Sequence, residues 1–261
     1  MLTDFGVKDS YVAEMKAVIL TLCPEASIVD ITHEVEPFNL RLAAYLLARA
    51  TPYFPVGTIH VAVVDPGVGG GRKPLIIEAE KGMLVGPDNG ILIPAAEKLG
   101  MKRAYEIKSR ELLPERFTET FHGRDVFAPA AALLASGVKP ERLGVKTSTY
   151  VKAAIPEARL FKGKIRGEIV YVDRFGNLVT NIGRELLASL NVRFGNMLKL
   201  SFRRLGSKPL KVKFLRAYAE AEVGELLVLI GSWGTLEISA NQARASNKLK
   251  VEAGEKIWVE A

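Results

Sequence analysis

The glycine-rich segment 66–71 is flanked by the carboxylate of Asp65 and the guanidinium of Arg72. The residues before it, Thr58–Val64, are β-branched and almost continuously apolar, as expected for a parallel strand that is buried on both faces. Asp65 then lies at the carboxyl end of that strand, where open α/β sheets bind their ligands. Pro66 ends the strand, and the glycines after it let the backbone turn or approach a ligand closely. The segment therefore predicts a ligand-binding loop.

Two other interpretations of this loop remain open. A strand followed by glycines suggests a dinucleotide-binding motif, but that motif requires a helix to begin at the last glycine. Residues Leu75–Val85 instead have the pattern of a β-hairpin, so a nucleotide-phosphate loop is the weaker interpretation. A plain glycine-rich turn, in which Asp65 caps nearby amides, is the structural alternative.

The chain contains three histidines and one cysteine, Cys23. These offer too few ligands at sensible spacing for a zinc site, so we expect no metal. His60 falls inside a strand and is expected to be structural, whereas His33 is ambiguous. His122 precedes a helix, where its ring could face a cleft, and a structural role is the alternative. Nucleophilic acyl chemistry is disfavoured, because there is no Gly-x-Ser-x-Gly motif and Cys23 lacks a histidine partner.

Two turns in the C-terminal part carry polar groups that suit a ligand. Asp173-Arg-Phe-Gly-Asn177 combines a carboxylate, an aromatic ring and a carboxamide, which together can bind a purine edge and an amine. Gly231-Ser-Trp-Gly234 offers a hydroxyl and backbone N–H groups that suit a carboxylate. The alternative in each case is a plain turn, in which Asp173 accepts from its own backbone amides and the tryptophan packs.

Alternating helices and strands predict an α/β domain over residues 1–157. Apolar residues at helical spacing predict helices at Ser10–Leu22, Asn39–Ala50, Ile91–Leu99 and Val126–Ala135. Strands are expected at Ser27–Ile31, Thr58–Val64 and Ala104–Ile107. The strand before Asp4 is either very short or begins ahead of the given sequence. This β-α-β-α-β order implies right-handed crossovers and a mainly parallel sheet.

Residues 163–261 have a different pattern, which predicts a smaller all-β, barrel-like domain. Short alternating strands are expected at Lys164–Asp173, Leu178–Asn181, Met197–Phe202, Lys211–Leu215, Leu226–Ile230, Thr235–Ile238 and Lys256–Val259. Helices are suggested only at Arg184–Leu190 and Gln242–Asn247. The domain boundary is expected within 152–162, which contains Pro156 and few periodic positions.

The net charge of +7 lies in the C-terminal part. Residues 161–261 hold 17 Lys or Arg and 10 Asp or Glu, whereas residues 1–160 hold 19 of each. The basic stretch 193–216 could attract nucleic acid, but such side chains on strands are more often simply solvated, so we do not expect a nucleic-acid partner. No apolar run reaches the ~20 residues that span a bilayer, and no signal-peptide pattern opens the chain. With a single cysteine, these features predict a cytoplasmic protein without membrane association.

Short motifs that carry polar and glycine residues occur in one order along the chain: Thr3-Asp4-Phe5-Gly6, Asp30-Ile-Thr-His33, Val64-Asp65-Pro-Gly-Val-Gly69, Pro87-Asp-Asn-Gly90, Phe121-His-Gly-Arg-Asp125, Asp173-Arg-Phe-Gly-Asn177 and Ser232-x-Gly234. This series resembles the S-adenosyl-L-methionine hydroxide adenosyltransferases, relatives of the bacterial fluorinase and chlorinase, over nearly the whole chain. The resemblance implies an N-terminal α/β domain and a C-terminal β-barrel. It also implies a homotrimer, in which each active site lies between one subunit's N-terminal domain and its neighbour's C-terminal domain.

The reaction implied by this resemblance is attack of water or hydroxide on C5′ of S-adenosyl-L-methionine, which gives adenosine and L-methionine. In the family the water is held by an Asp–Arg–His triad, and the matching residues here are Asp65, Arg72 and His122. Sulfonium is already a good leaving group, so the task is to orient and partly desolvate a poor nucleophile, and no cofactor is expected. Halide-using relatives carry a serine at the position of Gly123, which favours water here.

The resemblance also implies which residues bind the substrate. The matching positions are Asp4 for the ribose hydroxyls, Phe38 for the sugar, Phe175, Asn177 and Tyr218 for the adenine, and Asp173, Ser232 and Glu237 for the methionine. Trp233 replaces an arginine of the fluorinase. The alternative function is a module that senses adenosine or S-adenosyl-L-methionine without turnover, and a nucleic-acid binder that uses the basic stretch is a third possibility.

Overall fold

The computed structural model describes residues 1–109, 111–113, 118–153, 156–203 and 209–261. The chain divides into two compact units, Met1–Ala154 and Ile155–Ala261. Each unit has its own sheet and its own buried core. Each unit therefore positions its own part of the predicted site.

Unit 1 is built on a six-stranded sheet. Its strands are β1 (Leu2–Thr3), β2 (Thr58–Val63), β3 (Pro74–Ala79), β4 (Gly82–Pro87), β5 (Met101–Ile107) and β6 (Gly144–Thr147). They lie in the order β1-β2-β4-β3-β5-β6. The β1–β2 and β2–β4 pairs are parallel, whereas the other pairs are antiparallel. The expected α/β fold is confirmed, and the sheet is parallel at its start, on both sides of β2, which leads to the loop that carries Asp65.

The helices of unit 1 are α1 (Tyr11–Leu22), α2 (Leu40–Ala50), α3 (Ile93–Lys98), α4 (Ala128–Ala135) and α5 (Pro140–Leu143). Met15 and Ile19 of α1 join Phe127 and several alanines of α4 in one buried cluster, which also contains Val61 and Val63 of β2. A π-helical turn at Gly123–Phe127 precedes α4. Such turns are frequent at functional sites, and this one begins directly after His122.

The expected strand at Ser27–Ile31 is wrong. The segment is irregular, although it pairs loosely with the first residues of the chain: Ile31 N donates to Met1 O at 2.7 Å, and a single parallel bridge joins Leu2 to Thr32. β1 is two residues long, so it offers too few backbone groups to pair along a whole strand. The side chain of Asp30 is instead engaged by Lys16, with Nζ 2.5 Å from Oδ2, and by His33, with Nε2 3.0 Å from Oδ1.

Unit 2 is a β-barrel. Its strands are β7 (Arg159–Phe161), β8 (Lys164–Val172), β9 (Leu178–Gly183), β10 (Met197–Phe202), β11 (Leu210–Phe214), β12 (Leu226–Ile230), β13 (Thr235–Ala240) and β14 (Lys256–Glu260). They follow the order β14-β10-β11-β12-β13-β9-β8-β7, and an additional β14–β8 pairing closes a ring of seven strands with β7 outside it on β8. The expected barrel is confirmed.

Two short helices accompany the barrel, α6 (Arg184–Ala188) and α7 (Ala245–Leu249). The second begins three residues later than the helix expected at Gln242–Asn247. Gln242 has φ of 53°, which lies in the left-handed region and ends regular pairing rather than starting a right-handed helix. The segment after β13 is therefore a turn, and it lies beside the Asp173–Asn177 turn, where Ser246 N donates to Gly176 O at 2.9 Å.

Candidate active site

Asp65, Arg72 and His122 lie together at the carboxyl end of β2. Arg72 Nε lies 3.0 Å from both carboxylate oxygens of Asp65, and Nη2 also donates to Oδ2. The same Nη2 lies 2.8 Å from Nδ1 of His122. The side chains of Asp65 and Arg72 are 5% and 10% exposed, so the pair is largely shielded from solvent. The three residues expected to form a triad are therefore linked through Arg72.

The Arg72–His122 contact fixes the protonation pattern of the imidazole. A guanidinium only donates hydrogen bonds, so Nδ1 must accept with its lone pair and the neutral ring carries its proton on Nε2. Nε2 lies 3.6 Å from the exposed carboxylate of Glu119. Arg72 is held by the ring of Phe127, 5.2 Å from the guanidinium carbon. Its buried Nη1 has no hydrogen-bond partner among the described residues, which leaves one donor for an added acceptor.

A cavity of about 430 Å³ opens beside the triad. Asp65 and His122 line it, together with Asp4 and Phe38. Four of the predicted site residues therefore share one cavity within unit 1, and Arg72 lies behind it against Asp65. The cavity combines a carboxylate pair with apolar walls, which suits a polar, cationic molecule that must be shielded from bulk water.

Asp4 shapes the entrance of this cavity. Its Oδ2 accepts from the backbone N–H of Phe38 at 2.9 Å. Phe38 has φ of 67°, a conformation that non-glycine residues adopt rarely and that often marks functional sites. Its ring is 71% exposed. Asp4 thus holds a strained backbone that presents an aromatic ring at the rim, while its other oxygen can accept from a ligand.

His33 has a structural role behind Asp4. It is 5% exposed, its Nδ1 lies 2.8 Å from the hydroxyl of the buried Thr3, and its Nε2 lies 3.0 Å from Asp30 Oδ1. Thr3 Oγ1 in turn accepts from Phe5 N at 3.3 Å. These contacts fasten both sides of Asp4, so the ambiguous histidine supports the site without facing its cavity.

Gly123 has no space for a side chain. A Cβ there would lie 2.9 Å from the ring of Phe121 and 3.1 Å from Sδ of Met15. Both neighbours belong to packed groups: Met15 is completely buried, and the Phe121 ring is in contact with Phe5 and Tyr11 at centroid distances of 5.7 and 5.1 Å. A serine at this position would require the cavity wall to move.

The aromatic wall formed by Phe5, Tyr11 and Phe121 was not identified as a unit from the sequence. All three residues line the unit 1 cavity, and Arg124 lies over the Phe121 ring at 5.1 Å. Phe5 and Phe121 flank predicted site residues, which was a usable signal. Tyr11 begins α1 and belongs to none of the motifs, so only the fold shows that it belongs here.

A second cavity, of about 680 Å³, lies within unit 2. It is lined by all six remaining predicted site residues: Asp173, Phe175, Asn177, Tyr218, Ser232 and Glu237. Trp233, Arg174 and Arg244 also line it. Arg244 was missed because it belongs to no motif, and its Nη1 donates to Arg174 O at 2.6 Å, so it closes one side of the Asp173–Asn177 turn.

The Asp173–Asn177 turn is organised by its own carboxylate. Asp173 Oδ1 accepts from the backbone N–H groups of Phe175 and Asn177, both at 2.9 Å, and Oδ2 accepts from Asn177 Nδ2 at 2.8 Å. A carboxylate has about four acceptor positions, so one remains for an amine. The Phe175 ring is 76% exposed. The carboxamide oxygen and second N–H of Asn177 remain for a ligand edge.

Glu237 contacts protein hydroxyls. It is 7% exposed, and its Oε1 accepts from Tyr218 Oη at 2.7 Å and from Ser239 Oγ at 2.8 Å. Burial and the hydrogen bond to Glu237 raise the pKa of the Tyr218 phenol. Glu237 therefore holds Tyr218 in place in the cavity wall, and a direct contact with methionine would have to use its other oxygen.

The Gly231–Gly234 turn presents Ser232 at the surface of the same cavity. Gly234 has φ of 72° and donates to Gly231 O at 2.9 Å, which closes the turn. Trp233 stacks on Tyr171 with ring centroids 5.9 Å apart. The tryptophan is thus packed, as the turn interpretation predicts, while the serine hydroxyl remains exposed.

Other predicted features lie away from the two cavities. His60 is 4% exposed and packs edge-on against Phe54 at 5.3 Å, and burial lowers its pKa to about 4, as fits a structural residue.

Within the basic stretch, Lys199 lies directly opposite Lys211 across β10 and β11, whereas Arg204 and Lys208 fall outside the described residues. None of the helices in the described ranges is long and apolar enough to cross a membrane. No group of three or more His, Cys, Asp or Glu side chains in those ranges could hold a metal ion.

Comparison with known proteins assigns both units. Residues 1–144 match the family model of the SAM hydroxide adenosyltransferase N-terminal domain, and residues 167–258 match that of the C-terminal domain. A protein of Salinispora tropica named (R)-S-adenosyl-L-methionine hydrolase is 38% identical over 262 residues, which cover 99% of this chain and 96% of that protein. A protein with the same name from Methanocaldococcus jannaschii is 38% identical over 266 residues, covering 98% and 93% of the two chains.

Structural and more distant similarities agree. The crystal structure of an uncharacterized conserved protein from Thermotoga maritima matches with a TM-score of 0.95 and 41% identity, covering 100% of this chain and 98% of that chain. A fluorinase from Actinopolyspora mzabensis is 27% identical over 286 residues, covering 99% of this chain and 95% of that protein.

Proposed function

The chain belongs to the S-adenosyl-L-methionine hydroxide adenosyltransferase family, and we propose that it hydrolyses S-adenosyl-L-methionine to adenosine and L-methionine. Four relatives that are 37–38% identical over almost their full length carry the name (R)-S-adenosyl-L-methionine hydrolase. The observation that carries the proposal is the Asp65–Arg72–His122 cluster, in which Arg72 joins Asp65 and His122 and the latter two line the unit 1 cavity. These three groups can hold one water molecule by its protons and its oxygen.

The chemical step is a displacement at carbon. The water oxygen forms a bond to C5′ while the C5′–S bond breaks, and the electron pair of that bond goes to sulfur, which becomes the neutral thioether of methionine. One proton leaves the attacking water for the carboxylate of Asp65. The proton moves as the C–O bond forms, so no free hydroxide has to be produced first.

The protein has to supply orientation and electrostatics. Water is poorly nucleophilic and well hydrated, so a fixed position in line with the C5′–S bond and partial exclusion of solvent both raise the rate. Arg72 and the Nε2–H of His122 favour the hydroxide character that the oxygen gains as its proton moves to Asp65. The sulfonium is already a good leaving group, so the proposed reaction needs no metal or redox cofactor.

The two cavities divide the substrate. In unit 1, the free oxygen of Asp4 accepts from the ribose hydroxyls, and Phe38 lies against the sugar. In unit 2, Phe175 and Tyr218 contact the faces of the adenine and Asn177 its edge. Asp173 binds the methionine ammonium with its remaining acceptor position, and Ser232 binds the carboxylate. Glu237 acts by holding Tyr218.

Water is preferred to halide as the nucleophile in this proposal. Gly123 occupies the position at which the halide-using relatives carry a serine, and the contacts of its would-be Cβ with Phe121 and Met15 oppose a side chain there. The triad carboxylate also repels an anion. Asp65 therefore favours a neutral nucleophile that has protons to donate.

We further propose a homotrimer in which unit 1 of one subunit and unit 2 of its neighbour complete each active site, as the family resemblance implies. A trimer of the 28.5 kDa chain would have a mass of about 85 kDa by light scattering. Mixing inactive Asp65→Asn and Asn177→Ala subunits under exchange conditions should restore part of the activity, because some sites then receive both intact residues. If each site were formed within one chain, mixing would restore no activity.

We also propose a cytoplasmic location, which the single cysteine supports.

The direct test is incubation of pure protein with S-adenosyl-L-methionine, followed by chromatography for adenosine and methionine. Asp65→Ala is the control, and both products should form in equimolar amounts only with the wild type. Separate assays with the (R) and (S) sulfonium epimers show which one is consumed. Tight adenosine binding without product above the control would instead support a sensor. Salt-sensitive binding of DNA or RNA that is weakened by neutralising Arg203 and Lys211 would support the nucleic-acid alternative.

A further inference from the structure

We propose that Asn89 is a positioning residue for Asp65, and that the dipeptide Asp88–Asn89 fastens both ends of the loop that carries Asp65 and Arg72. This dipeptide belongs to the Pro87–Gly90 turn, which follows β4, the parallel neighbour of β2. Neither residue lines the unit 1 cavity, so substrate binding does not explain the turn. The inference rests on the proposed function, because it gives this turn a part in the same reaction.

Asn89 fastens the start of the loop. Its Nδ2 donates to the backbone oxygen of Val64 at 2.8 Å, and its Oδ1 accepts from Ile91 N at 3.4 Å, which orients the carboxamide. The Val64 carbonyl belongs to the planar peptide unit that ends at the nitrogen of Asp65. Holding this oxygen therefore fixes the rotation of that unit and the direction in which the Asp65 side chain leaves the backbone.

Asp88 fastens the end of the loop. Its backbone N–H donates to the oxygen of Lys73, the residue after Arg72, at 2.8 Å. Its side chain is buried and accepts from Val151 N at 2.7 Å. Gly90 has φ of 96°, and a Cβ there would lie 2.9 Å from Ala153 N. The turn is therefore anchored on the opposite side and can serve as a fixed support.

The loop needs such support because of its composition. Residues 66–71 contain four glycines, which have the greatest backbone freedom of any residue type. The Asp65–Arg72 ion pair closes the loop but could move as a body relative to His122. A displacement of about 1 Å at reacting groups can lower a rate about 10²-fold, so fastening the two ends is a catalytic requirement.

The test replaces Asn89 by aspartate, which has the same shape but cannot donate to Val64 O. The matched control is Asn181→Asp. Asn181 makes the same pair of contacts in unit 2, with Nδ2 2.7 Å from Pro156 O and Oδ1 2.8 Å from Glu168 N, and it lines neither cavity. Asn89→Asp should lower kcat about 10- to 100-fold with little change in KM, while the control keeps the wild-type kcat.

A double variant provides a second test. In an Asp65→Asn background Asn89→Asp should add almost no further loss of kcat, since both changes act through one carboxylate.

Amide hydrogen exchange gives a readout that does not need turnover. Exchange in peptides covering residues 66–72 should be faster in Asn89→Asp than in the wild type, and unchanged in Asn181→Asp. If the wild type is inactive on S-adenosyl-L-methionine but the exchange responds as expected, the proposed function fails and the loop support stands. Unchanged exchange in Asn89→Asp overturns the inference, as does a loss of kcat that adds in full to that of Asp65→Asn.

Discussion

Nη2 of Arg72 lies 2.8 Å from Nδ1 of His122, and this single contact decides which member of the triad can take a proton. Nδ1 is occupied by a donor that never deprotonates, and Nε2 already carries the ring proton. In the proposed reaction the imidazole can therefore donate to the attacking oxygen but cannot act as the base. Asp65 is the remaining acceptor, although it lies in the same ion pair.

The protonation pattern of His122 can be observed directly. We expect the Nε2–H form of the neutral ring at pH 8, because Arg72 donates to Nδ1. Nitrogen-15 NMR of the imidazole distinguishes the two forms by the shift of each ring nitrogen. Replacing Arg72 by Gln should reduce the preference for the Nε2–H form. An Nδ1–H form in the wild type would contradict a hydrogen bond from Arg72 to Nδ1.

Asp4→Asn should damage recognition of the sugar. The substitution preserves shape but removes the charge, and a hydrogen bond to a charged group contributes about 1.5–3 kcal/mol, so kcat/KM should fall about 10- to 100-fold. The mutant should also lose most of its discrimination against a substrate analogue that lacks the 2′-hydroxyl. Asp9→Asn, at an exposed acidic residue, is the control. If the Asp4 variant still discriminates fully against the analogue that lacks the 2′-hydroxyl, Asp4 does not bind the ribose.

Tyr218 should make the protein more sensitive to alkaline pH. Burial and the bond to Glu237 raise its pKa above the ordinary value of 10, so the folded state keeps the phenolic proton where the unfolded state loses it. The resulting stabilisation is complete below pH 10 and declines as the pH rises towards the raised pKa. Denaturant melts from pH 9 to 11 should show a smaller decline for Tyr218→Phe, and parallel curves for the two proteins would argue against this role.

His60 should limit stability in acid. Burial lowers its pKa from 6.5 to about 4, so between these values the unfolded chain binds a proton that the folded chain does not. Stability is therefore complete above pH 6.5 and falls by about 3 kcal/mol as the pH approaches 4. His60→Leu should flatten this part of the pH profile in urea melts. An unchanged slope would place the acid-sensitive group elsewhere.

Much of the fold could be predicted from residue patterns within short segments of the sequence. The β-branched run before Asp65 and the close spacing of strands after residue 163 both correspond to observed elements. The prediction of a strand at Ser27–Ile31 was wrong. The apolar residues of this segment suit a strand, but a strand also needs a neighbour to pair with, and β1 is only two residues long. That information lies outside the segment.

The site shows the same division. Asp65 and Arg72 are close along the chain, so a loop connecting them was predictable. His122 lies 50 positions from Arg72, and its place in the triad was expected only from family resemblance. Asn89 and Glu237 act through hydrogen bonds to a backbone carbonyl and to other side chains, and no residue pattern predicts such partners. These supporting contacts require the three-dimensional structure.

The central claim is that one water molecule, held by Asp65, Arg72 and His122, attacks C5′. Turnover of S-adenosyl-L-methionine in water enriched in oxygen-18, analysed by mass spectrometry, tests it most directly. We predict adenosine with one heavy oxygen in its 5′-hydroxyl, unlabelled methionine, and a rate lowered about 10²- to 10⁴-fold in Asp65→Asn. Unlabelled adenosine, or labelled adenosine formed equally fast by Asp65→Asn, would contradict the account.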